Sequence, residues 1–203
     1  MIDFVVSKGY QVKNHVFRFE IESQLDTGIM LGIQGPSGSG KTTLLRCLAG
    51  LERPDAGFIR VKDQYWFRDF PRCFLPPQKR SAAYMFADYA LFPHMTVAGN
   101  LRFARPQRTV SELLQMVHLG EFADHYPREL SSGQQQRAAL ARAVAQSADL
   151  LLLDEPFSAL DESLRLELGN TLRKLQQQTG INVIMVSHSL PELDRLCDRV
   201  LII

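Results

Sequence analysis

A glycine-rich stretch of nine residues constrains this 203-residue chain more than any other part of its sequence. Residues 35–43 read GPSGSGKTT and fit the pattern G-x-x-x-x-G-K-[ST]. The glycines let backbone N–H groups turn inward around a polyphosphate, which a Cβ atom would obstruct. Residues 29–33 before this phosphate loop predict a buried strand, and residues 43–49 after it predict a helix. The loop therefore delivers phosphate to a helix N-terminus, where free N–H groups and the helix dipole favour an anion.

The phosphate loop predicts both nucleotide contacts and a metal ligand. Lys41 offers a cation to the β- and γ-phosphates of ATP, and the Thr42 hydroxyl offers a ligand to Mg²⁺. We expect every residue of the loop to contact the nucleotide, namely Gly35, Pro36, Ser37, Gly38, Ser39, Gly40, Lys41, Thr42 and Thr43.

Composition sets limits on the remaining possibilities. Lys and Arg number 23 against 22 Asp and Glu, so the chain has no general basic surface for nucleic acid or an anionic membrane. Three widely spaced cysteines fit neither a disulfide framework nor a zinc site, which favours a reducing cytosol. The sequence has no apolar run long enough to cross a membrane, so we expect any membrane role to come through a partner.

The order of elements predicts an α/β fold with an additional sheet at its N-terminus. Residues 2–7 and 16–22 alternate apolar and polar and predict a small antiparallel sheet, while residues 66–77 contain three prolines and are expected to be irregular. After the phosphate loop, apolar strands alternate with helical segments, which is typical of a parallel sheet. Tyr10, between the two N-terminal strands, is either a base-stacking residue or an ordinary half-buried tyrosine, and Phe17 is the second candidate for stacking.

Residues 96–148 are predicted to be helical. Thr109 with Glu112 and Ser131 with Gln134 each form a predicted capping box at the start of a helix. Before this region, the apolar cluster 91–93 is expected to be exposed.

Two carboxylates and a histidine complete a predicted catalytic constellation. Asp154 and Glu155 follow the apolar run 150–153, and His188 follows the apolar run 182–186. Ligands bind to α/β sheets at the carboxyl ends of the strands, so these side chains should face the nucleotide. Asp154 suits coordination of Mg²⁺, Glu155 suits activation of a water, and His188 could reach the γ-phosphate.

Residues 130–137, LSSGQQQR, open a second helix with small polar residues and a glycine. Its N-terminus is a second potential anion site, which would bind through Ser131, Ser132, Gly133 and Gln134. One chain with two phosphate sites and one hydrolytic site suggests a head-to-tail pair of chains. Each ATP would then lie between the phosphate loop of one chain and the segment 130–134, here called the signature segment, of the other.

Together these features resemble the ATPase subunit of ATP-binding cassette (ABC) transporters over essentially the whole chain. The matching elements occur in family order and comprise residues 35–43, 130–134, 150–155, the D-loop 158–161 and His188. The resemblance implies a P-loop NTPase fold with a RecA-like core, an N-terminal antiparallel β-subdomain and an inserted helical subdomain. The implied core and β-subdomain span residues 1–87 and 149–203, and the implied helical subdomain spans residues 88–148.

The resemblance also implies a function: binding and hydrolysis of Mg-ATP in a dimer that powers a membrane permease. Asp161 of the D-loop joins the implied nucleotide-binding residues, and Tyr10 takes the base-stacking role. Residues 89–94 would dock an integral-membrane permease, which places the protein in the cytoplasm at the inner face of the membrane. Residues 75–86 look closest to molybdate-importer and sulfate-type ATPases.

Three departures from the family pattern qualify this reading. Ala87 stands where the family has a glutamine, Ser132 replaces the first signature glycine, and the sequence stops at Ile203 inside a predicted strand. We accordingly expect no C-terminal regulatory domain. Because alanine can neither bind metal nor position water, one alternative is a nucleotide-binding regulatory subunit that hydrolyses poorly. A further alternative is a soluble ABC ATPase outside transport.

Overall fold

The computed structural model describes residues 1–12 and 15–203, and within them ten strands form two five-stranded sheets. The first sheet is antiparallel, with the order β2-β1-β4-β5-β6. Its strands are β1 (Ile2–Val12), β2 (His15–Leu25), β4 (Ala56–Val61), β5 (Gln64–Arg68) and β6 (Cys73–Phe74). The second sheet is parallel and comprises β3 (Met30–Gln34), β7 (Ala82–Met85), β8 (Leu150–Asp154), β9 (Asn182–Val186) and β10 (Arg199–Ile202) in the order β10-β3-β9-β8-β7.

Helices connect and cover these strands. The α-helices of the described residues are α1 (Lys41–Ala49), α2 (Val97–Phe103), α3 (Val110–Met116), α4 (Ser132–Ala145), α5 (Glu162–Thr179) and α6 (Leu190–Leu196). Single 3₁₀ turns lie at Pro77–Lys79, Gly120–Phe122 and Pro127–Glu129.

The parallel sheet is buried on both faces, as all-parallel sheets usually are. Strand β8 illustrates this, because its four leucines alternate between two separate cores. Leu151 and Leu153 pack in a core with helices α2–α6, whereas Leu150 and Leu152 pack in a core with α1 and the antiparallel sheet. The run of apolar residues that predicted a buried strand thus reflects a strand covered on two sides.

The structure confirms the predicted α/β fold with its additional antiparallel sheet, but it corrects the prediction that residues 66–77 are irregular. The end of β5 and all of β6 fall in this region, and β5 pairs with β4 through a tight turn. Trp66 and Phe67 are almost fully buried in the core beneath this sheet. Pairing and burial outweigh the effect of the prolines, which lie outside both strands.

Residues 96–148, predicted to be helical, form three separate helices joined by loops and 3₁₀ turns. The predicted capping boxes are confirmed: Thr109 pairs with Glu112 at α3, and Ser131 pairs with Gln134 at α4. Helices α2–α4 all lie within residues 88–148, although the division into subdomains stays a prediction.

Candidate functional site

Three adjacent parallel strands bring the predicted catalytic residues to one edge of the sheet. The phosphate loop follows β3, Asp154 ends β8, and His188 follows β9, which lies between β3 and β8. A cleft of about 400 Å³ lies at this edge. It is lined by Tyr10, Phe17, Ser37, Gly38, Gly40, Lys41, Thr42, Thr43, Ala87, Asp154, Glu155, Val186 and His188.

At two positions of the phosphate loop, the backbone has a conformation that only glycine adopts easily. Gly38 and Gly40 have φ angles of 86° and 98°. A Cβ atom on Gly40 would also lie 2.5 Å from the ring of Phe19. Helix α1 begins directly after Gly40, and the buried Lys41 side chain folds back over the loop. Its Nζ donates to the carbonyl oxygens of Gly35 and Pro36, at 2.8 and 2.7 Å.

Thr42 and Asp154, the predicted metal ligands, are in direct contact. The Thr42 hydroxyl donates to Asp154 Oδ1 at 3.2 Å, and the Tyr84 hydroxyl lies 3.4 Å from Asp154 Oδ2. Burial raises the pKa of Asp154, and the bonds from Thr42 and Tyr84 oppose that shift. Sequence reasoning missed the role of Tyr84 as a partner of this carboxylate.

The donor set fits Mg²⁺ bound together with phosphate. Hydroxyl and carboxylate oxygens are hard ligands, and two that share one octahedral Mg²⁺ lie about 3 Å apart, close to the distance between Thr42 and Asp154. Within residues 1–12 and 15–203, no group of three or more His, Cys, Asp or Glu side chains could hold a metal ion. An ion at Thr42 and Asp154 would therefore take its other ligands from phosphate and water.

Glu155 has an unusual backbone conformation at the floor of the cleft. Its φ angle is 52°, in the left-handed region that non-glycine residues rarely adopt, and its N–H donates to the carbonyl of Val186 at 3.0 Å. Its Oε1 lies 3.2 Å from His188 Nε2 but is buried without a hydrogen bond, and the His188 side chain is 58% exposed. Burial raises the pKa of Glu155, and the nearby His188 opposes that shift. This is the geometry of a carboxylate that can accept a proton beside an exposed imidazole.

Both candidates for base stacking border the cleft. Tyr10 lies within β1, not between the two strands as predicted, because β1 continues to Val12. It stands directly opposite Phe17 of β2 in the antiparallel register. The Tyr10 hydroxyl donates to Glu52, whereas the Phe17 side chain is 37% exposed. The structure brings both residues to the site and leaves open which of them stacks.

Ala87 lines the cleft from the turn that follows β7, and its methyl group places no polar atom there. The two residues with positive φ shortly after it, Tyr89 and Ala90, are held by Arg142 of α4. The Arg142 guanidinium donates to the carbonyl of Tyr89 at 3.1 Å and to that of Ala90 at 2.8 Å. Sequence reasoning missed this contact, since nothing local predicts which arginine of a helix reaches a turn 50 residues away. It couples α4 to the segment 89–94.

The predicted apolar cluster of this segment is less exposed than expected. Leu91 and Phe92 are half-buried, and Phe92 packs edge-to-face on Phe103 with ring centroids 4.7 Å apart. Phe103, 60% exposed, is the more accessible aromatic side chain here.

The signature segment caps a helix and lies outside the cleft of its own chain. The described cleft lining includes neither Ser131, Ser132, Gly133, Gln134 nor Asp161. Ser131 is the N-cap of α4, and Asp161 is the N-cap of α5, where its Oδ1 accepts from the N–H of Leu164 at 2.9 Å. Gly133 lies against the D-loop, since a Cβ atom there would be 3.2 Å from the carbonyl oxygen of Ala159.

Gln136, to which the sequence assigned no role, joins α4 to the backbone of Glu155. Its fully buried amide donates to the carbonyl of Glu155 at 2.9 Å and to the Ser158 hydroxyl at 3.0 Å. It also accepts from the N–H of Ala159 at 2.9 Å. A sequence signal did exist, because Gln136 shares the helical face of the apolar residues Ala139, Leu140 and Ala143. A polar side chain on a buried face needs partners.

A glycine-rich loop at a helix N-terminus, facing a strand-end aspartate, glutamate and histidine, defines a P-loop nucleotide-binding domain. The sequence matches the family model described as "ABC transporter" over residues 19–158. The chain belongs to this family, as its ATPase domain.

Named relatives and solved structures agree with this assignment. The chain is 44% identical over 191 residues to the spermidine/putrescine import ATP-binding protein PotA of Nitratidesulfovibrio vulgaris, with 90% of this chain and 50% of that protein covered. It is 42% identical over 208 residues to the sulfate/thiosulfate import ATP-binding protein CysA of Vibrio cholerae, with 94% and 54% covered. A solved dimeric ATP-binding cassette in a post-hydrolysis state with ADP and Pi superposes with a TM-score of 0.87 and 27% identity, over 100% of this chain and 94% of that one.

The chain spans about half the length of the curated relatives it matches, 50% and 54% for the two above. None of the helices in residues 1–12 and 15–203 is long and apolar enough to span a membrane.

Proposed function

We propose that this chain binds and hydrolyses ATP as the nucleotide-binding subunit of an ABC importer. The observation that carries the proposal is the convergence of Lys41, Thr42, Asp154, Glu155 and His188 on one cleft of about 400 Å³. Phosphate, metal and an attacking water could all be held there by groups from different strands.

Each side chain has a role that follows from its position. Lys41 leaves the loop carbonyls to pair with the β- and γ-phosphates, while Ser37 to Thr43 hold them through backbone N–H groups. Thr42 and Asp154 would hold Mg²⁺, which neutralises charge on the phosphate oxygens when bound. Glu155 orients and deprotonates the water that attacks the γ-phosphate, and His188, whose Nε2 lies 3.2 Å from Glu155 Oε1, donates to the γ-phosphate.

A head-to-tail homodimer would complete the site. The signature residues 131–134 and Asp161 lie outside the cleft of their own chain, so a second chain must supply them if they contact nucleotide. The N-terminus of α4 carries free N–H groups that suit a γ-phosphate. The dimeric state of the solved cassette supports this arrangement.

The partner is an integral-membrane permease, which would hold the protein at the cytoplasmic face of the membrane. Its docking surface would be the segment 89–94 together with the exposed Phe103. The transported solute is proposed to be an oxyanion, with support from the relative named for sulfate and thiosulfate. Molybdate, suggested by residues 75–86, receives no support from the relatives reported above, one of which is named for polyamines.

The experiment compares wild type with Glu155→Gln, which preserves shape and removes the carboxylate. We expect wild type to hydrolyse Mg-ATP and Glu155→Gln to bind it without turnover, so that an ATP-dependent dimer accumulates on size exclusion. Glu121→Gln, a change at an exposed glutamate outside the cleft, should behave as wild type. Normal hydrolysis by Glu155→Gln, or a monomer in the presence of Mg-ATP, would contradict the role of Glu155 or the dimer, respectively.

A second candidate function is a nucleotide-binding regulatory subunit that hydrolyses poorly. The methyl group of Ala87 in the cleft favours it, since it offers no amide to the metal or to water. Tight ATP binding with negligible hydrolysis in the presence of a permease would select this candidate.

A further inference from the structure

An ion pair between a half-buried arginine and a buried glutamate joins the first turn of α5 to the first turn of α6. Arg165 Nη2 donates to the carbonyl of Leu160 in the D-loop at 2.9 Å. Arg165 Nε lies 3.7 Å from Glu192 Oε2, and the Glu192 side chain is only 6% exposed. Helix α6 begins two residues after His188. One arginine therefore contacts both the D-loop and the helix that follows the catalytic histidine.

We infer that Arg165 is a positioning residue that links the D-loop to His188 through Glu192. The inference rests on the proposed hydrolytic function. Through Arg165, the position of His188 would depend on the position of the D-loop. The D-loop is the segment expected to contact the second chain of the dimer.

Glu192 is tied closely to the backbone that carries His188. The backbone N–H of Glu192 donates to the Ser189 hydroxyl at 3.4 Å, and the Ser189 N–H donates to the Ser187 hydroxyl at 3.1 Å. Burial raises the pKa of Glu192, while Ser187 and Arg165 favour its charged form. A shift of Glu192 would therefore be transmitted to the residues on both sides of His188.

Arg165 Nε and the Glu192 carboxylate do not form a hydrogen bond in this structure. The Nε atom of Arg165 is buried without a hydrogen-bond partner, and its 3.7 Å distance to Glu192 exceeds that of a hydrogen bond. A buried donor beside a buried carboxylate is costly unless the two bond, so a small approach of α6 to the D-loop is favourable. The Arg165–Glu192 contact can thus tighten when the D-loop or the histidine moves.

A second pair on the same helix provides a matched control. Arg173 of α5 forms a bidentate ion pair with Asp198, just before β10, and contacts neither the D-loop nor the His188 backbone among the described hydrogen bonds. Both arginines connect α5 to the region around α6. Only Arg165 connects it to the catalytic edge.

The first test is hydrogen exchange of the full chain, which does not depend on hydrolysis. We expect Arg165→Met to raise amide exchange both in residues 158–161 and in residues 187–192, and Glu192→Gln to do the same. Arg173→Met should change neither segment. If Arg165→Met loosens only the start of α5 and leaves residues 187–192 at wild-type exchange, the inference is wrong.

The second test measures kcat and ATP affinity separately. Arg165→Met and Glu192→Gln should each lower kcat by about tenfold and leave ATP affinity within about twofold, since positioning is lost and binding is kept. The double variant should be no slower than the slower single variant, because both remove one link. If the two substitutions lowered kcat independently, so that their fold reductions multiplied in the double variant, the inference would be wrong. Undetectable hydrolysis by wild type would refute the proposed function alone, because the exchange result would still decide whether the link exists.

Discussion

At the scale of single residues, Lys41 has two sets of partners available to it. Its ammonium group donates to the loop carbonyls of Gly35 and Pro36, and it would leave them to pair with a phosphate. Lys41→Ala removes the cation, so we expect ATP affinity measured by calorimetry to fall by about 10- to 100-fold, the usual range for a charged hydrogen bond. Lys174→Ala, an exposed lysine of α5, should retain wild-type affinity. Equal affinity of Lys41→Ala and wild type would count against the assigned site.

Ala87 is the residue at which the chain departs most from its family pattern. Ala87→Gln restores a side-chain amide to the cleft, and we expect it to raise the Mg²⁺-dependent hydrolysis rate, most strongly with a permease present. A single positioned donor is typically worth on the order of tenfold to a thousandfold in rate. Steady-state hydrolysis by both forms decides the question. A water filling the space beside the methyl group would make the two rates equal, and the substitution would then be functionally silent.

The sequence predicted the residues whose chemistry is local and missed those whose partners are distant. Lys41, Thr42, Asp154, Glu155 and His188 were all predicted, because each lies at the end of an apolar strand or in the phosphate loop. The choice between Tyr10 and Phe17 remained open, since both side chains border the cleft. The predicted nucleotide contacts of the signature residues and Asp161 stay predictions, because they require a second chain.

At the scale of elements, helix α4 is joined to the catalytic edge through one buried amide. Gln136→Leu would leave the N–H of Ala159 without its partner and would remove one of the donors to the Glu155 carbonyl, which also accepts from Ser158. An unsatisfied buried group costs about 1–3 kcal/mol, so we expect a loss of about that size in the free energy of unfolding. Because the Glu155 backbone would also move, kcat should fall.

The measurements for Gln136→Leu are urea denaturation and steady-state kinetics. Gln177→Leu, at an exposed position of α5, provides the control and should leave both unchanged. A stable Gln136→Leu variant with normal kcat would show that the amide does not position Glu155.

Element boundaries show where sequence patterns are insufficient. Residues 66–77 were predicted to be irregular because they contain three prolines. The local sequence does not show which strand would pair with them. In the folded chain β5 pairs with β4, and Trp66 fills the core under the sheet. Helix caps, by contrast, were predicted well, because Thr109 with Glu112 and Ser131 with Gln134 are local pairs.

At the scale of the whole molecule, Arg80 joins the phosphate-loop helix to the antiparallel sheet. It is 5% exposed, and its guanidinium donates to the carbonyls of Cys47 and Leu48 at the end of α1, of Trp66 in β5, and of Leu75. Burial lowers the pKa of Arg80 to about 10. A cation at the C-terminus of α1 also complements the helix dipole, whose other end faces the phosphate site.

Arg80→Met should therefore destabilise the fold by about 3 kcal/mol, because four carbonyl groups lose a charged hydrogen-bond donor. For a chain of this size that corresponds to a fall of roughly 6–12 °C in Tm, measured by calorimetry. Arg72→Met, at an exposed position near β6, should leave Tm unchanged. If both variants melt at the same temperature, Arg80 does not stabilise the contact between α1 and the antiparallel sheet.

At Glu155 the left-handed backbone sets the thermal stability of the fold against the chemical role proposed for the side chain. A glutamate with a φ of 52° costs about 1 kcal/mol that glycine would not. In a directed-evolution experiment that selects only for heat resistance, a change of Glu155 to glycine would thus raise stability while removing the carboxylate proposed to activate water. A stabilised variant of this domain must keep that residue fixed, and acquire its thermal tolerance elsewhere.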